Sequence, residues 1–460
     1  MKKYIVIIAL SLTAISCGIY KPYSRPEVST DNLYGVEHET ADTTSIAAVE
    51  WQEFFTDSHL QELIAKGLEH NSDMQAAAWR IKEAEAALKS ARLAFLPSFN
   101  VSPSGGVSSF DGGAGSWSYS APISASWQID IFGGINNAKR KAKAVYEQSL
   151  EYRQAVHAQV VSTVATYYYT LLMLDSQREV TRLTAESFSH SAETMRAMMD
   201  AGMTNMAAVA QMEAAAHSAE ASLYDIDLSI REVENGLSAL LGETPHTIER
   251  SSLVGQTFPQ ELATGVPVQL LSNRPDVRLA EYNLMQAFYA TAAARSALYP
   301  TLTLSGLLGW TNSAGSVVLN PGGLLLSATA SLVAPIFNAG KARANVKIAE
   351  AQQEEALISF RQSLLNAGAE VNNALAKIQT AQAKHEWRTK QIEALELAVE
   401  STEMLMQYGS TTYLEVLTAQ QNLLTGRLSQ ISDRYEEIEG IITLYAALGG
   451  GREIIDPEEE

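Results

Sequence analysis

One residue in this chain has a position that demands chemistry. Cys17 is the only cysteine among 460 residues, and it stands directly behind an apolar run. Lys2 and Lys3 give a short positive start. Tyr4 to Ile15 then supply about a dozen mostly apolar residues, the length of an export signal and too short to cross a bilayer as a helix. A lone cysteine is usually a small buried hydrophobe, but burial does not explain a cysteine at the end of Ala14-Ile15-Ser16-Cys17. The arrangement looks like a lipobox, although Ala14 stands where Leu, Val or Ile is usual. It implies removal of 1–16 and acylation of the Cys17 sulfur and its new amine, and more than one acyl chain gives stable anchoring. Gly18 follows, so the Asp that commonly retains such proteins at an inner membrane is absent. A single cysteine also rules out a disulfide within the chain.

No other residue pattern supports catalysis. The eight histidines are scattered, with no His-Glu-x-x-His and no cysteine pair. Ala339-Gly340-Lys341-Ala342 lacks the flanking glycine and the Ser or Thr of a phosphate loop. There is no nucleophile elbow. His157 and His217 fall in helical patterns, where packing or solvation explains them better than ligation. The expectation is a protein that is not an enzyme and holds no metal or cofactor. Charge excludes another class. The formal charge is −19, and losing Lys2 and Lys3 leaves 31 basic against 52 acidic side chains, a net of −21. Phosphate binding needs clustered Lys and Arg, so nucleic acid is not a partner. A cation-tolerant pore and plain solubility remain.

The elements that surround these residues occur twice. Asn71-Ser72-Asp73-Met74 aligns with Arg274-Pro275-Asp276-Val277, and Phe95-Leu96-Pro97 with Leu298-Tyr299-Pro300. Ala201-Gly202-Met203-Thr204 aligns with Tyr408-Gly409-Ser410-Thr411, and Leu241-Gly242 with Leu448-Gly449. This period is far too long for a solenoid, so a large unit has been duplicated. The predicted layout is a signal segment over 1–16, an extended tether over 17–50, a first repeat over 51–245, a linker over 246–270, a second repeat over 271–449 and an acidic tail over 450–460. Each repeat reads as helix, two strands, long helix, turn and return helix. Helices are expected at 72–95, 136–200 and 204–241, then at 275–298, 339–408 and 412–448.

Four strands are expected, at 98–109, 117–131, 300–311 and 324–336. The second alternates most regularly. Trp117, Tyr119, Ala121, Ile123, Ala125, Trp127, Ile129 and Ile131 share one face, opposite Ser118, Ser120, Pro122, Ser124, Ser126, Gln128 and Asp130. A soluble strand is usually about five or six residues long, whereas this length with aromatics near both ends fits a tilted membrane strand. Four strands cannot close a barrel, and an open edge is not tolerated in hydrocarbon. Several copies must therefore pool them.

The stretch 136–200 would run roughly 100 Å as a straight helix. Its apolar positions at Tyr152, Val156, Val160, Val164, Tyr167, Leu171 and Leu174 step by threes and fours, as do Leu357, Phe360, Leu364, Ala367, Val371, Leu375 and Ile378. That is the seam of helices packed side by side. Gly202 and Gly409 can end the long helices in the left-handed conformation. Thr204 or Asn205, and Thr411 or Thr412, can cap the return helices. A coiled-coil surface adhesin shares the helices, and a periplasmic adaptor lipoprotein shares the anchor, but neither accounts for the two strand pairs.

Five stretches in order, together with the duplication, carry a family resemblance from Trp51 to about Gly449. They are Trp51-Gln52-Glu53-Phe54-Phe55-Thr56-Asp57, Arg274-Pro275-Asp276-Val277-Arg278, Tyr299-Pro300-Thr301-Leu302, Pro335-Ile336-Phe337 and Tyr408-Gly409-Ser410-Thr411-Thr412-Tyr413-Leu414. The chain resembles the TolC-like outer-membrane factors, in the lipoprotein subgroup that serves tripartite efflux pumps. The resemblance implies an α+β membrane protein with four transmembrane strands per chain and long antiparallel helical hairpins. It further implies a homotrimer whose twelve-stranded β-barrel continues into a twelve-helix α-barrel, set in outer-membrane lipids. Such channels are passive exit ducts that join an inner-membrane transporter, here expected to be of the RND type, through a periplasmic adaptor. The adaptor would meet the hairpin tips at Gly202, Met203, Thr204, Gly409, Ser410 and Thr411. The family closes its tunnel near the second tip, where many members place an Asp and, three residues on, an Arg. Thr418 and Gln421 hold those positions here. Closure is therefore expected to rest on Leu414, with Thr418 and Gln421 as a polar ring and Glu415 about 60° round the helix from Thr418.

Overall fold

The computed structural model describes residues 22–28, 33, 45–109, 111–258, 264, 273–312 and 323–452. The signal segment, Cys17, most of the tether and the end of the acidic tail lie outside them. The described elements run α1 (Trp51–Phe54), α2 (Ser58–His70), α3 (Ser72–Leu93), β1 (Ser98–Val101), β2 (Ser104–Ser108), β3 (Ser116–Ile129), α4 (Gly134–Asp200) and α5 (Met206–Leu240). They continue as α6 (Pro275–Ser296), β4 (Thr301–Asn312), β5 (Gly323–Val333), α7 (Lys341–Gln407) and α8 (Tyr413–Ala447). The paired helices match in length: α3 and α6 have 22 residues each, α4 and α7 have 67, and α5 and α8 have 35. Helix α2 was not expected. Its buried Leu60, Leu63, Ile64 and Gly67 have the spacing of an amphipathic helix, capped by the Asp57 carboxylate on the His59 N–H.

The chain forms two compact units, one comprising 1–28, 79–151 and 278–362, the other 29–78, 152–277 and 363–460. The first holds an antiparallel sheet in the order β1/β2–β3–β4–β5. The single strand expected over 98–109 is split. Val101 pairs with Ile123 and Ser104 with Ser120, one continuous register interrupted only at Ser102 and Pro103. At the break Ser102 donates to the Pro122 carbonyl (3.2 Å), and Pro122, having no N–H, cannot return the bond, so the ladder is half-made there. Gly309 lies opposite Pro122, where a Cβ would come within 2.6 Å of the Ala121 carbonyl oxygen and the Pro122 Cα. Only glycine fits there. Below the sheet strands, the Asp130 carboxylate accepts from the Ile135 and Asn136 N–H groups (3.1 and 2.7 Å) and anchors the start of α4. Residues 22–28 also belong to this unit, where Arg25 forks onto Glu281 (2.7 and 2.6 Å) and Tyr23 packs edge-on against Phe288.

The second unit is built on helix seams. Val160, Val164 and Leu171 of α4 and Leu364, Ala367, Val371 and Ile378 of α7 are buried at the predicted spacing. Phe54 and Phe55 are fully buried, Phe54 stacking on Tyr445 at 4.1 Å. All four long-hairpin helices end alike. At Gly202, Gly242, Gly409 and Gly449 φ is positive, and the next N–H reaches back five residues, as in Met203 to Met198 and Ser410 to Leu405, both 2.8 Å. These are Schellman turns, which satisfy the orphan carbonyls of a helix end. Among the described residues no helix is long and apolar enough to cross a membrane.

Candidate functional site

The sheet presents two chemically different faces. Register places Trp127 beside Leu304 and Leu304 beside Ala330, Ile123 beside Leu308 and Leu308 beside Leu326, and Ala121 beside Trp310 and Trp310 beside Leu324. One apolar surface thus crosses every strand. Its large members stand exposed in the single chain, from 37% at Leu304 to 75% at Leu326. The opposite surface is rich in hydroxyls. Ser98, Ser126, Ser305 and Thr329 form one row across all four strands. An apolar face this large on a monomer marks contact with lipid or protein, and both β1/β2 and β5 end the sheet with unpaired backbone groups.

In the second unit the hairpin ends carry the other candidate residues. Phe188, Met195, Val209, Met212, Val416 and Leu417 form part of one buried apolar cluster joining α4, α5 and α8. Methionine fills such irregular space readily. Packing Val416 and Leu417 inward turns Leu414, Glu415, Thr418 and Gln421 outward, all exposed, with Leu414 at 53%. The hydroxyl of Thr418 donates to the Leu414 carbonyl at 2.7 Å, and that of Thr425 to the Gln421 carbonyl at 3.0 Å. Glu415 accepts from the Thr411 hydroxyl. At the tips Gly202, Met203, Gly409 and Ser410 are exposed, with Thr204 and Thr411 half-buried. Asn205, not Thr204, caps α5 by accepting from the Ala208 N–H at 3.2 Å. Thr412 occupies the cap position of α8 without a side-chain bond.

Sequence reading missed two polar junctions of this unit. Asp57 is buried and accepts from the Tyr168 hydroxyl (2.7 Å) and the Gln256 amide (2.9 Å), while that same hydroxyl accepts from the Ser251 N–H (3.0 Å). Burial pushes the Asp57 carboxyl up, but the bonds from Tyr168, Gln256 and Ser251 outweigh it and hold it below the usual range. Burial raises the Tyr168 phenol to about 12. In the second junction the Arg274 guanidinium donates to Asp276 (2.9 and 2.6 Å), to the Ala447 carbonyl (3.0 Å) and to Glu370 (2.8 Å). Proline at the first position of α6 was legible; the arginine's reach to Ala447 was not, because nothing local encodes a partner so far along the chain. A groove of about 760 Å³ in the same unit is lined by charged residues already engaged with one another, as Arg388 with Asp433 (2.8 Å) and Arg434 with Glu437 (2.5 Å).

The sequence and fold are similar to known proteins over nearly the whole chain. A family model described as outer membrane efflux protein matches residues 63–243 and 266–450. The cation efflux system protein CusC of Escherichia coli (strain K12) is 28% identical over 465 residues, 96% of this chain and 98% of that protein. A solved structure of CusC superposes with a TM-score of 0.83 at 26% identity, covering 94% of this chain and 99% of that one. The pyoverdine export outer membrane protein OpmQ of Pseudomonas aeruginosa is 30% identical over 417 residues, 87% of each protein. A probable outer membrane lipoprotein, SilC of Salmonella typhimurium, is 26% identical over 457 residues, 98% of each.

Proposed function

The chain belongs to the outer membrane efflux protein family, and from that premise we propose that three copies pool their strands into one twelve-stranded barrel. It is an outer-membrane exit channel of an efflux system. The observation that carries the assembly is the sheet. It has four strands in effect, since β1 and β2 share one register, with an apolar face and two open edges. Hydrocarbon tolerates no such edge, and about eight strands is the smallest barrel that closes. Edge β5 of one copy beside β1/β2 of the next keeps the antiparallel alternation. The test is the oligomer in detergent: a heat-sensitive trimer on a gel and by light scattering supports the reading, and a monodisperse monomer sinks it.

The four long helices of each copy then supply a twelve-helix tunnel, with the tips at Gly202, Met203, Thr204, Gly409, Ser410 and Thr411 meeting a periplasmic adaptor. The adaptor joins the channel to an inner-membrane transporter of the RND type, and acyl chains on Cys17 anchor each copy. Leu414, Thr418 and Gln421 line the closure, with Glu415 beside them. Their shared exposed face on α8, opposite the buried Val416 and Leu417, supports that role. Leu414→Ala is expected to raise single-channel conductance and antibiotic leakage, and unchanged values for both would refute the gate assignment.

A further inference from the structure

The membrane section is built almost without charge. From Leu93 to Ile129 the only Asp, Glu, Lys, Arg or His is Asp111, and from Ser296 to Gly340 there is none. Eliminating charge from the apolar face is expected of a lipid-facing surface. Eliminating it from the opposite face is not, because water there would solvate any side chain. That face instead carries hydroxyls in register. The row Ser98–Ser126–Ser305–Thr329 crosses all four strands, and Ser104–Ser120–Thr311 forms a second row nearer the far end. Several of these hydroxyls already point their protons at the sheet. Ser98 donates to the Ser126 carbonyl (3.2 Å), Ser124 to the Asn100 carbonyl (3.4 Å) and Thr311 to the Tyr119 carbonyl (3.2 Å), while Ser104 and Ser120 bond each other at 2.8 Å. What remains for a passing solute is a weak, neutral and mostly polar wall, interrupted by Leu307 between Ser124 and Ser327.

The two carboxylates that bound β3 do not alter this. Asp130, at its lower end, is turned into the first turn of α4. Asp111, at the other end, is exposed in the turn between β2 and β3 with φ of 53°. Ser124 lies six residues from Asp130, roughly 20 Å along a strand, and exposed charges are largely screened beyond a Debye length of about 8 Å.

We propose that the membrane section is a charge-indifferent outlet, lined by belts of hydroxyls, in which Asp111 at the β2–β3 turn is the one fixed charge. It wets cations, anions and neutral solutes alike and sorts none of them, so selection by charge is left to other parts of the assembly. The inference rests on the assembly described above, which turns the hydroxyl face inward.

Local potential can be read directly, because Cys17 is the chain's only native cysteine and acylation blocks its sulfur, so the wild-type protein sets a background without a free thiol. Full-length channel carrying Ser124→Cys or Ser305→Cys is reacted with a cationic and an anionic methanethiosulfonate of similar size. Both sites should react with both reagents, at a rate ratio within about threefold of that for a free thiol in solution, since no charge lies within a screening length. Ser109→Cys, beside Asp111, should favour the cationic reagent several-fold, and Asp111→Asn should abolish that preference. A tenfold or larger bias at Ser305→Cys, surviving Asp111→Asn, would overturn the proposal, as the section would then filter charge. Failure of both reagents to reach Ser124→Cys and Ser305→Cys in a conducting channel would instead refute the inward placement of the hydroxyl face.

Discussion

The two repeats hold the same joint with different chemistry. Asn71 and Arg274 precede the matching helices α3 and α6, and each reaches the last carbonyl of its return helix, Leu240 for Asn71 (2.9 Å) and Ala447 for Arg274 (3.0 Å). Asn71 does this with a neutral amide, and its oxygen also caps α3 through the Asp73 and Met74 N–H groups. Arg274 adds two carboxylates, Asp276 and Glu370. The ion clusters have moved as well. Asp433 of α8 is held by Arg388 and Lys384, whereas the matching places on α4 and α5 carry Thr181, Gln177 and Ile226. Asp175 and Glu234 of the first repeat are instead held by Arg250 from the linker. What duplication preserved is where a helix end must be satisfied; which residue satisfies it was free to change.

That comparison can be broken at its glycines first. Gly449 has φ of 93°, and a Cβ there would come within 2.6 Å of the Asn273 carbonyl oxygen, whereas at Gly242 the nearest atom is the His70 carbonyl oxygen at 3.0 Å. Gly449→Ala should therefore cost about 3 kcal/mol in backbone strain plus overlap, and Gly242→Ala less, as measured by thermal unfolding of the purified protein. Equal losses would mean the two turns are not differently crowded. Next comes the joint itself. Arg274→Ala should cost about 2–3 kcal/mol, since it orphans a buried carbonyl but frees carboxylates that water already reaches. Asn71→Ala should cost about 1–2 kcal/mol, the value of a cap. If the asparagine proves the costlier loss, the second repeat's carboxylates contribute nothing.

Acid should separate the repeats further. Burial raises the Asp433 carboxyl, but Arg388 and Lys384 more than offset it and leave it below the usual range. A lowered folded value adds stability that is complete above about pH 4 and disappears as pH falls through the folded value. Asp433→Asn should flatten the acid arm of the unfolding profile, and an unchanged arm would assign it to other carboxylates such as Asp57. The smallest effect belongs to the tips. Gly202→Ala and Gly409→Ala meet no atom within 4 Å, so only the left-handed backbone resists, at about 1 kcal/mol. The two should be indistinguishable by melting.

Sequence made legible whatever is periodic or local. The alternation from Trp117 to Ile129 gave a strand and its two faces, and the glycines at 202 and 409 gave the hairpin ends. Leu414, Thr418 and Gln421 could be placed on one face because their spacing is helical. Helix α2 had the right spacing at Leu60, Leu63 and Ile64 and went unread because the repeat alignment began beyond it. The Asp57–Tyr168–Gln256 junction and the Arg274–Ala447 bond were beyond reach for a physical reason. Each joins residues more than a hundred positions apart, and no local pattern marks a side chain for a distant carbonyl. The split at Pro103 was visible as a proline, but its meaning depends on register.

In the proposed trimer, Pro103 beside that split would have a consequence for how copies find one another. Ser102 gives its N–H inward, to the Pro122 carbonyl at 3.2 Å, so the donor that Pro103 lacks belongs to the open side of the edge strand. A neighbouring strand sliding along that edge meets one gap at one fixed height. Slippage by two residues would keep every side chain on its proper face yet set the gap against a different carbonyl. In the proposed trimer the proline would act as a key cut into the seam, penalising misaligned partners during assembly while leaving the pairing within each chain untouched.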